Sequence, residues 1–230
     1  MHQPSIVSRS EWTTARQRLL AKEKELNRQR DALSAERREL PMVAVEKEYV
    51  FQGPEGRRTL GDLFGGHPQL LVYHFMFEPD ADEGCASCSL VADNFGGLAH
   101  LAARDTAFVV VSRAPIEKIE RFRKRMGWDF PWLSSFGGDF NYDYGVTLDK
   151  KHAVYNYAPA TAQPEVYPRK GEREGLSVFL RYGKEIFHTY STYQRGLDPF
   201  LNTYNFLDLT PLGRREEEGI MHWVRHHDKY

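Results

Sequence analysis

A chain of 230 residues, 41% hydrophobic and 27% charged, has apolar mass enough for one domain with additions, and needs neither a disulfide nor a metal to hold its core. Its net charge of -1 gives no electrostatic reason to expect nucleic acid or an anionic membrane as a partner. No run approaches the roughly 20 apolar residues of a membrane span, and the polar stretch from Met1 to Arg16 lacks a signal-peptide core, so a cytoplasmic location is expected.

From Ser8 to Glu39 the pattern predicts one long helix. Ser8 with Glu11 makes a capping box, and no proline or glycine intervenes before Pro41. Trp12, Leu19, Leu26, Leu33 and Leu40 recur every seventh residue, while Lys22, Gln29 and Glu36 occupy the companion heptad positions. One narrow stripe suits a helix laid across its own domain; a homodimer through this arm is the alternative. Val43 to Phe51, a turn at Gly53-Pro54-Glu55-Gly56 and a return through Arg58 and Leu60 read as a hairpin, followed by a helical turn to Phe64. Leu70 to Phe77 reads as a buried central strand.

The segment from Glu78 to Gly84 is acidic and turn-rich, and Cys85 to Ala103 reads as a helix with a weak spot at Gly96-Gly97. Thr106 to Ser112 is a second buried strand. Pro115 opens a helix that Gly127 ends. Trp128 to Tyr144 is aromatic and loop-like, Lys151 to Tyr157 is a short strand, and Ala158 to Gly175 is an exposed connection. Leu176 to Arg181 and Glu185 to Ser191 form a hairpin turned at Tyr182-Gly183. A helix is expected from Arg214 to Val224, with Arg214 to Glu218 as a solvated charge run. Strand, helix, strand, helix and a late hairpin indicate an α/β fold: a central mixed sheet flanked by helices.

The chemistry points to Cys85-Ala86-Ser87-Cys88, which holds both cysteines of the chain. In a reducing compartment this spacing reads as a redox pair or half a metal site. A helix N-terminus offers free amides and partial positive charge, which favour a thiolate on Cys85. Cys88, one turn on, is placed to resolve a mixed disulfide. Glu78, Asp80, Asp82 and Glu83 oppose the thiolate if they face it. No second cysteine pair completes a zinc site, and His226 and His227 read as surface residues, so no metal and no cofactor is assigned. His74, on the strand leading to the cysteines, is a candidate proton relay. Ser87, Trp128, Trp132 and Phe136 are candidates for substrate contact, the three aromatics as an apolar wall.

The blocks Tyr73-His74-Phe75-Met76-Phe77, Gly84-Cys85-Ala86-Ser87-Cys88-Ser89, Ser112-Arg113-Ala114-Pro115, Arg125-Met126-Gly127-Trp128, Ser134-Ser135-Phe136, Asp139-Phe140-Asn141-Tyr142, Gly145 and His227-Asp228-Lys229-Tyr230 together resemble a family of bacterial thioredoxin-like proteins of unknown function, near the peroxiredoxin branch. The resemblance spans nearly the whole chain and implies a thioredoxin-like fold. Relative to peroxiredoxins, Pro79 is one residue too close to Cys85, no Thr or Ser lies between them, and the arginine slot before the late strand holds Gly175 or Leu176, with Arg173 near. The cis-proline of thioredoxins is also absent from that slot.

The expected organisation is an N-terminal helical arm over 1–41, a thioredoxin-like domain over 42–192 and a C-terminal extension over 193–230. The expected activity is thiol-disulfide exchange on a protein or small-molecule substrate, with a separate reductant. A thiol peroxidase and a non-enzymatic binding or metal-holding module are the alternatives.

Overall fold

A computed structural model describes residues 4–159, 162 and 170–230. Helix α1 (Arg9–Arg38) has the expected capping box: the Ser8 hydroxyl accepts from the Glu11 amide, and the Glu11 carboxylate accepts from the Ser8 amide. None of its residues is buried. Its apolar stripe stays in the open, Trp12 at 50% and Leu26 at 57% exposure, so the expected docking across the domain does not occur. The Arg37 guanidinium over the Tyr190 ring is a contact at its C-terminal end.

The strands β1 (Val43–Ala44), β2 (Val50–Gly53) and β3 (Gly56–Thr59) divide the expected first hairpin. β2 and β3 pair with each other, whereas β1 pairs across the sheet with the late hairpin, Val43 opposite His188. Helix α2 (Leu60–Leu63) is capped by Thr59 and leads to β4 (Gln69–His74). The single helix expected after Cys85 is two, α3 (Ala86–Asp93) and α4 (Leu98–Ala102), broken where Gly97 takes a positive φ of 70°. β5 (Thr106–Ser112) and α5 (Ile116–Arg125) lie where expected, and Gly127 has the left-handed φ that ends a helix.

The aromatic stretch from Trp128 is not all loop. It holds β6 (Trp132–Ser134), buried at every position, and α6 (Phe140–Asp143). Short strands β7 (Thr147–Leu148), β8 (Val154–Tyr155), β9 (Ala158–Pro159) and β10 (Gly171–Glu172) follow. Part of the connection expected from Ala158 to Gly175 lies outside the described residues. Its far end is buried rather than exposed, with Glu172 and Arg173 inside. The hairpin β11 (Gly175–Tyr182) and β12 (Glu185–Thr192) matches expectation. A 3-10 segment Gln194–Phe200 and α7 (Asn202–Leu207) come next. The helix expected from Arg214 to Val224 does not form: the segment is a series of turns, with Arg215 and Met221 at positive φ. Glu216, expected in a solvated charge run, instead ties this segment by accepting from the Met221 amide and the Trp223 indole.

Among the described residues, eight strands form one sheet in the order β1-β12-β11-β4-β5-β6-β2-β3. β4, β5 and β6 run parallel, and β11 and β12 return antiparallel beside β4. The order β12-β11-β4-β5, with α3 and α4 crossing between the two parallel strands, is the thioredoxin-like arrangement.

Side chains alternate across β4, so its two faces build two cores. Tyr73, then Phe75 and Phe77 beyond the strand end, pack with Cys88, Val91, Ile119 and Phe122. Leu70 and Val72 pack on the other face with Leu63, Phe64, Phe140 and Phe179.

Candidate active site

The site begins where β4 runs out. Phe75 continues it, bonded through its amide to the Val111 carbonyl at 2.9 Å and through its carbonyl to the Ser112 hydroxyl at 2.7 Å. The chain then loops out and returns, and the Cys85 amide donates to the Met76 carbonyl at 3.0 Å. Only glycine fits before Cys85, because a Cβ on Gly84 would lie 2.6 Å from the Phe75 ring and 2.7 Å from the Phe122 ring.

Long side chains hold this loop from outside. Lys118 donates to the Pro79 and Ala81 carbonyls. Arg125 pairs with Glu83 at 2.6 Å and with Asp228 at 2.7 Å, and Lys229 pairs with Glu83 at 2.8 Å. His226 is not the expected surface residue. It is 6% exposed, with Nε2 2.8 Å from the Gly84 carbonyl oxygen. His227 is exposed and meets Asp93 at 2.7 Å. Among the acidic residues before Cys85, the Glu83 carboxyl is held below its ordinary range by the Lys229 hydrogen bond and Arg125. Glu78 accepts from the Glu172 amide.

Cys85 is the N-cap of α3 and half-buried, whereas Cys88, in the first turn, is buried. Both are free thiols, 4.1 Å apart. Their environments push them in opposite directions. Cys85 is lowered to about 7, chiefly by its hydrogen bond with the Cys88 side chain and then by the amides of Cys88 and Ser87; burial and the charge of Glu174 oppose the shift. Burial pushes Cys88 up, and Cys85 adds to the effect. The Met76 amide donates to the Cys88 sulfur at 3.4 Å.

Two further groups belong here. Tyr73 is 1% exposed, and its hydroxyl has no hydrogen bond to nitrogen or oxygen; the Cys88 sulfur is the polar group it couples to. Glu174, immediately before β11, is half-buried, and burial raises its carboxyl. With Ser87, Cys88 and Tyr73 it lines a cleft of about 580 Å³ to which the segment after β12 also contributes.

The residues chosen from sequence divide accordingly. Ser87 and Cys88 line the cleft, whereas Cys85, the N-cap of α3, is not among its lining residues. His74 projects to the other face of β4, where its Nε2 meets the Ser177 hydroxyl at 2.8 Å and its ring faces Phe140 and Tyr144. Trp132 is buried and donates to Ser112, while Trp128 donates to Asp93. Phe136 is 59% exposed beside β2. These aromatics do not line the cleft. Sequence reasoning missed Tyr73, Glu174 and His226. Both faces of β4 are apolar, so no polar alternation marks which residue of Tyr73-His74 faces the cysteines, and nothing local marks Glu174 as turned inward.

Among the described residues, no group of three or more His, Cys, Asp or Glu side chains is placed to hold a metal ion, and no helix is long and apolar enough to cross a membrane. No curated protein matches the chain. Solved structures similar to it include peroxidoxin BcpB from Mycobacterium tuberculosis, 16% identical, covering 71% of this chain and 95% of that one at a TM-score of 0.48. A PrxQ mutant from Xylella fastidiosa is 14% identical, covering 69% and 88% at 0.44. The bacterioferritin comigratory protein of Xanthomonas campestris is 16% identical, covering 70% and 96% at 0.42. A family model described as "Bacterial protein of unknown function (DUF899)" matches residues 1–230, and the chain belongs to that family.

Proposed function

We propose that this protein is a thiol-disulfide oxidoreductase, with Cys85 as nucleophile and Cys88 as resolving thiol. One observation carries the reading: the two sulfurs are split in role by their surroundings. Cys85 is only partly buried at a helix N-terminus and lowered to about 7, whereas Cys88 is buried and raised. At neutral pH such a pair supplies a thiolate in front and a thiol in reserve.

The Cys85 thiolate attacks one sulfur of a substrate disulfide. That S–S bond breaks, one substrate thiolate leaves, and a mixed disulfide forms. Cys88 then loses its proton and attacks Cys85 Sγ, expelling the second substrate thiolate. Two electrons pass from the protein to the substrate, and the protein is left with a Cys85–Cys88 disulfide. A separate reductant must return it to the dithiol.

A redox titration in glutathione or dithiothreitol buffers, scored by thiol labelling, tests this. The expected outcome is a reversible Cys85–Cys88 disulfide with a midpoint between roughly -300 and -120 mV, absent from Cys85→Ser and Cys88→Ser. If no internal disulfide forms across that range, the proposal fails.

A further inference from the structure

The cleft beside Cys88 is of ligand size: about 580 Å³ falls within the range typical of small-molecule sites. Its walls are mainly apolar, with Val91 from α3 facing Leu197, Leu201 and Met221 from the segment after β12. Charged residues contributed by the segment after β12 are already engaged. Arg214 is bonded to Asp208 at 2.6 Å and stacked 3.8 Å over the Tyr204 ring. Glu216 accepts from Met221 and Trp223 at 2.8 and 3.0 Å. Arg195, the other cation of the lining, pairs with Asp198 at 3.0 Å, so both arginines there already have a carboxylate partner.

The Tyr73 hydroxyl, 1% exposed and lacking a nitrogen or oxygen partner among the described residues, lies at the cleft wall beside the Cys88 sulfur. Glu174 lines the same cleft and opposes negative charge on Cys85. An anionic ligand in the cleft would meet Glu174, with Cys85 4.1 Å away from the lining residue Cys88.

We infer that the cleft binds a small, uncharged, largely apolar disulfide for attack by Cys85, and that Glu174 selects against anionic disulfides. The inference rests on the oxidoreductase reading. Its chemistry is the exchange written above: the ligand's S–S bond breaks, both halves leave as thiols, and the Cys85–Cys88 disulfide takes their place. No reductant is needed for one turnover.

The test is single-turnover mixing of the fully reduced protein with dithiodipyridine, which is uncharged, with dithiobis-nitrobenzoate, a dianion, and with insulin. Each small-reagent rate is divided by that of a free monothiol with the same reagent. The expected result is a saturable reaction with dithiodipyridine, preferred over the dianion about tenfold or more. Glu174→Gln should shrink that preference severalfold, by speeding the dianion. Met221→Trp, which fills the cleft, should lower the saturable rate about tenfold, and Leu26→Glu on α1 should leave it unchanged. Insulin disulfides reduced as fast as dithiodipyridine, or an undiminished preference in Glu174→Gln, would overturn the cleft assignment while the oxidoreductase reading stands. If dithiodipyridine produces no Cys85–Cys88 disulfide at all, the parent reading falls and this inference falls with it.

Discussion

The two faces of β4 are equally buried and differently finished. On one, His74 is 0% exposed and starts a polar chain through Nε2, while its Nδ1 has no partner among the described residues: His74 to Ser177 at 2.8 Å, Ser177 to Ser191 at 2.8 Å, and Ser191 to His188 at 2.7 Å. Burial holds the His74 imidazole neutral, lowered to about 3. On the other, Tyr73 is 1% exposed, with its hydroxyl left without a nitrogen or oxygen partner beside a raised thiol. A buried polar group built into a chain serves the fold. One that meets a thiol at the wall of a cleft belongs with the site.

Three measurements bear on this contrast. The largest effect is expected from Phe179→Ala, which empties a fully buried site on the His74 face. It should cost about 3 to 5 kcal/mol in urea denaturation, while the alkylation midpoint of Cys85 stays near 7. A shift in that midpoint would show that the two faces are coupled.

The next effect is on pH dependence. The unfolded imidazole of residue 74 takes a proton near pH 6.5, and the folded one only near 3. The stability this contributes is complete above pH 6.5 and is lost as pH falls towards 3, by up to about 1.4 kcal/mol per pH unit. His188, also lowered by burial, adds to the same slope. Urea midpoints at pH 7 and pH 5.5 should show the fall, and His74→Phe should flatten it.

The smallest effect is expected from Tyr73→Phe. Removing a hydroxyl that orphans no nitrogen or oxygen should change stability by less than about 1 kcal/mol. A loss well above that, by the same denaturation assay, would mean that Tyr73 is a structural group after all.

Local signals were readable where the chain answers to itself. The capping box at Ser8, the strand from Thr106 to Ser112, the Pro115 start and the cysteine helix all follow from neighbours in sequence. What α1 packs against does not: a seven-residue stripe says that one side is apolar and leaves its partner open. β6 was hidden because three residues between Pro131 and Ser135 are too few to show a period. The turns at Arg214 to Val224 depend on Glu216 reaching the Met221 amide and the Trp223 indole, contacts that composition does not announce. The site was half legible for the same reason. Cys85, Ser87 and Cys88 are contiguous, whereas Glu174 and His226 arrive from 89 and 141 residues downstream of Cys85, and only the fold brings them in.

Those distances have a meaning in time. The carbonyl of Gly84 is held by His226, 142 positions later in the chain. At translation rates of roughly 5 to 20 residues per second, the ribosome takes roughly 7 to 30 s to travel from one to the other. For most of that interval the nascent chain carries both cysteines, and Lys118 and Arg125 join partway, but His226, Asp228 and Lys229 are still to come. The reactive pair therefore comes into being in two instalments: its sulfurs with the first half of synthesis, its setting with the second.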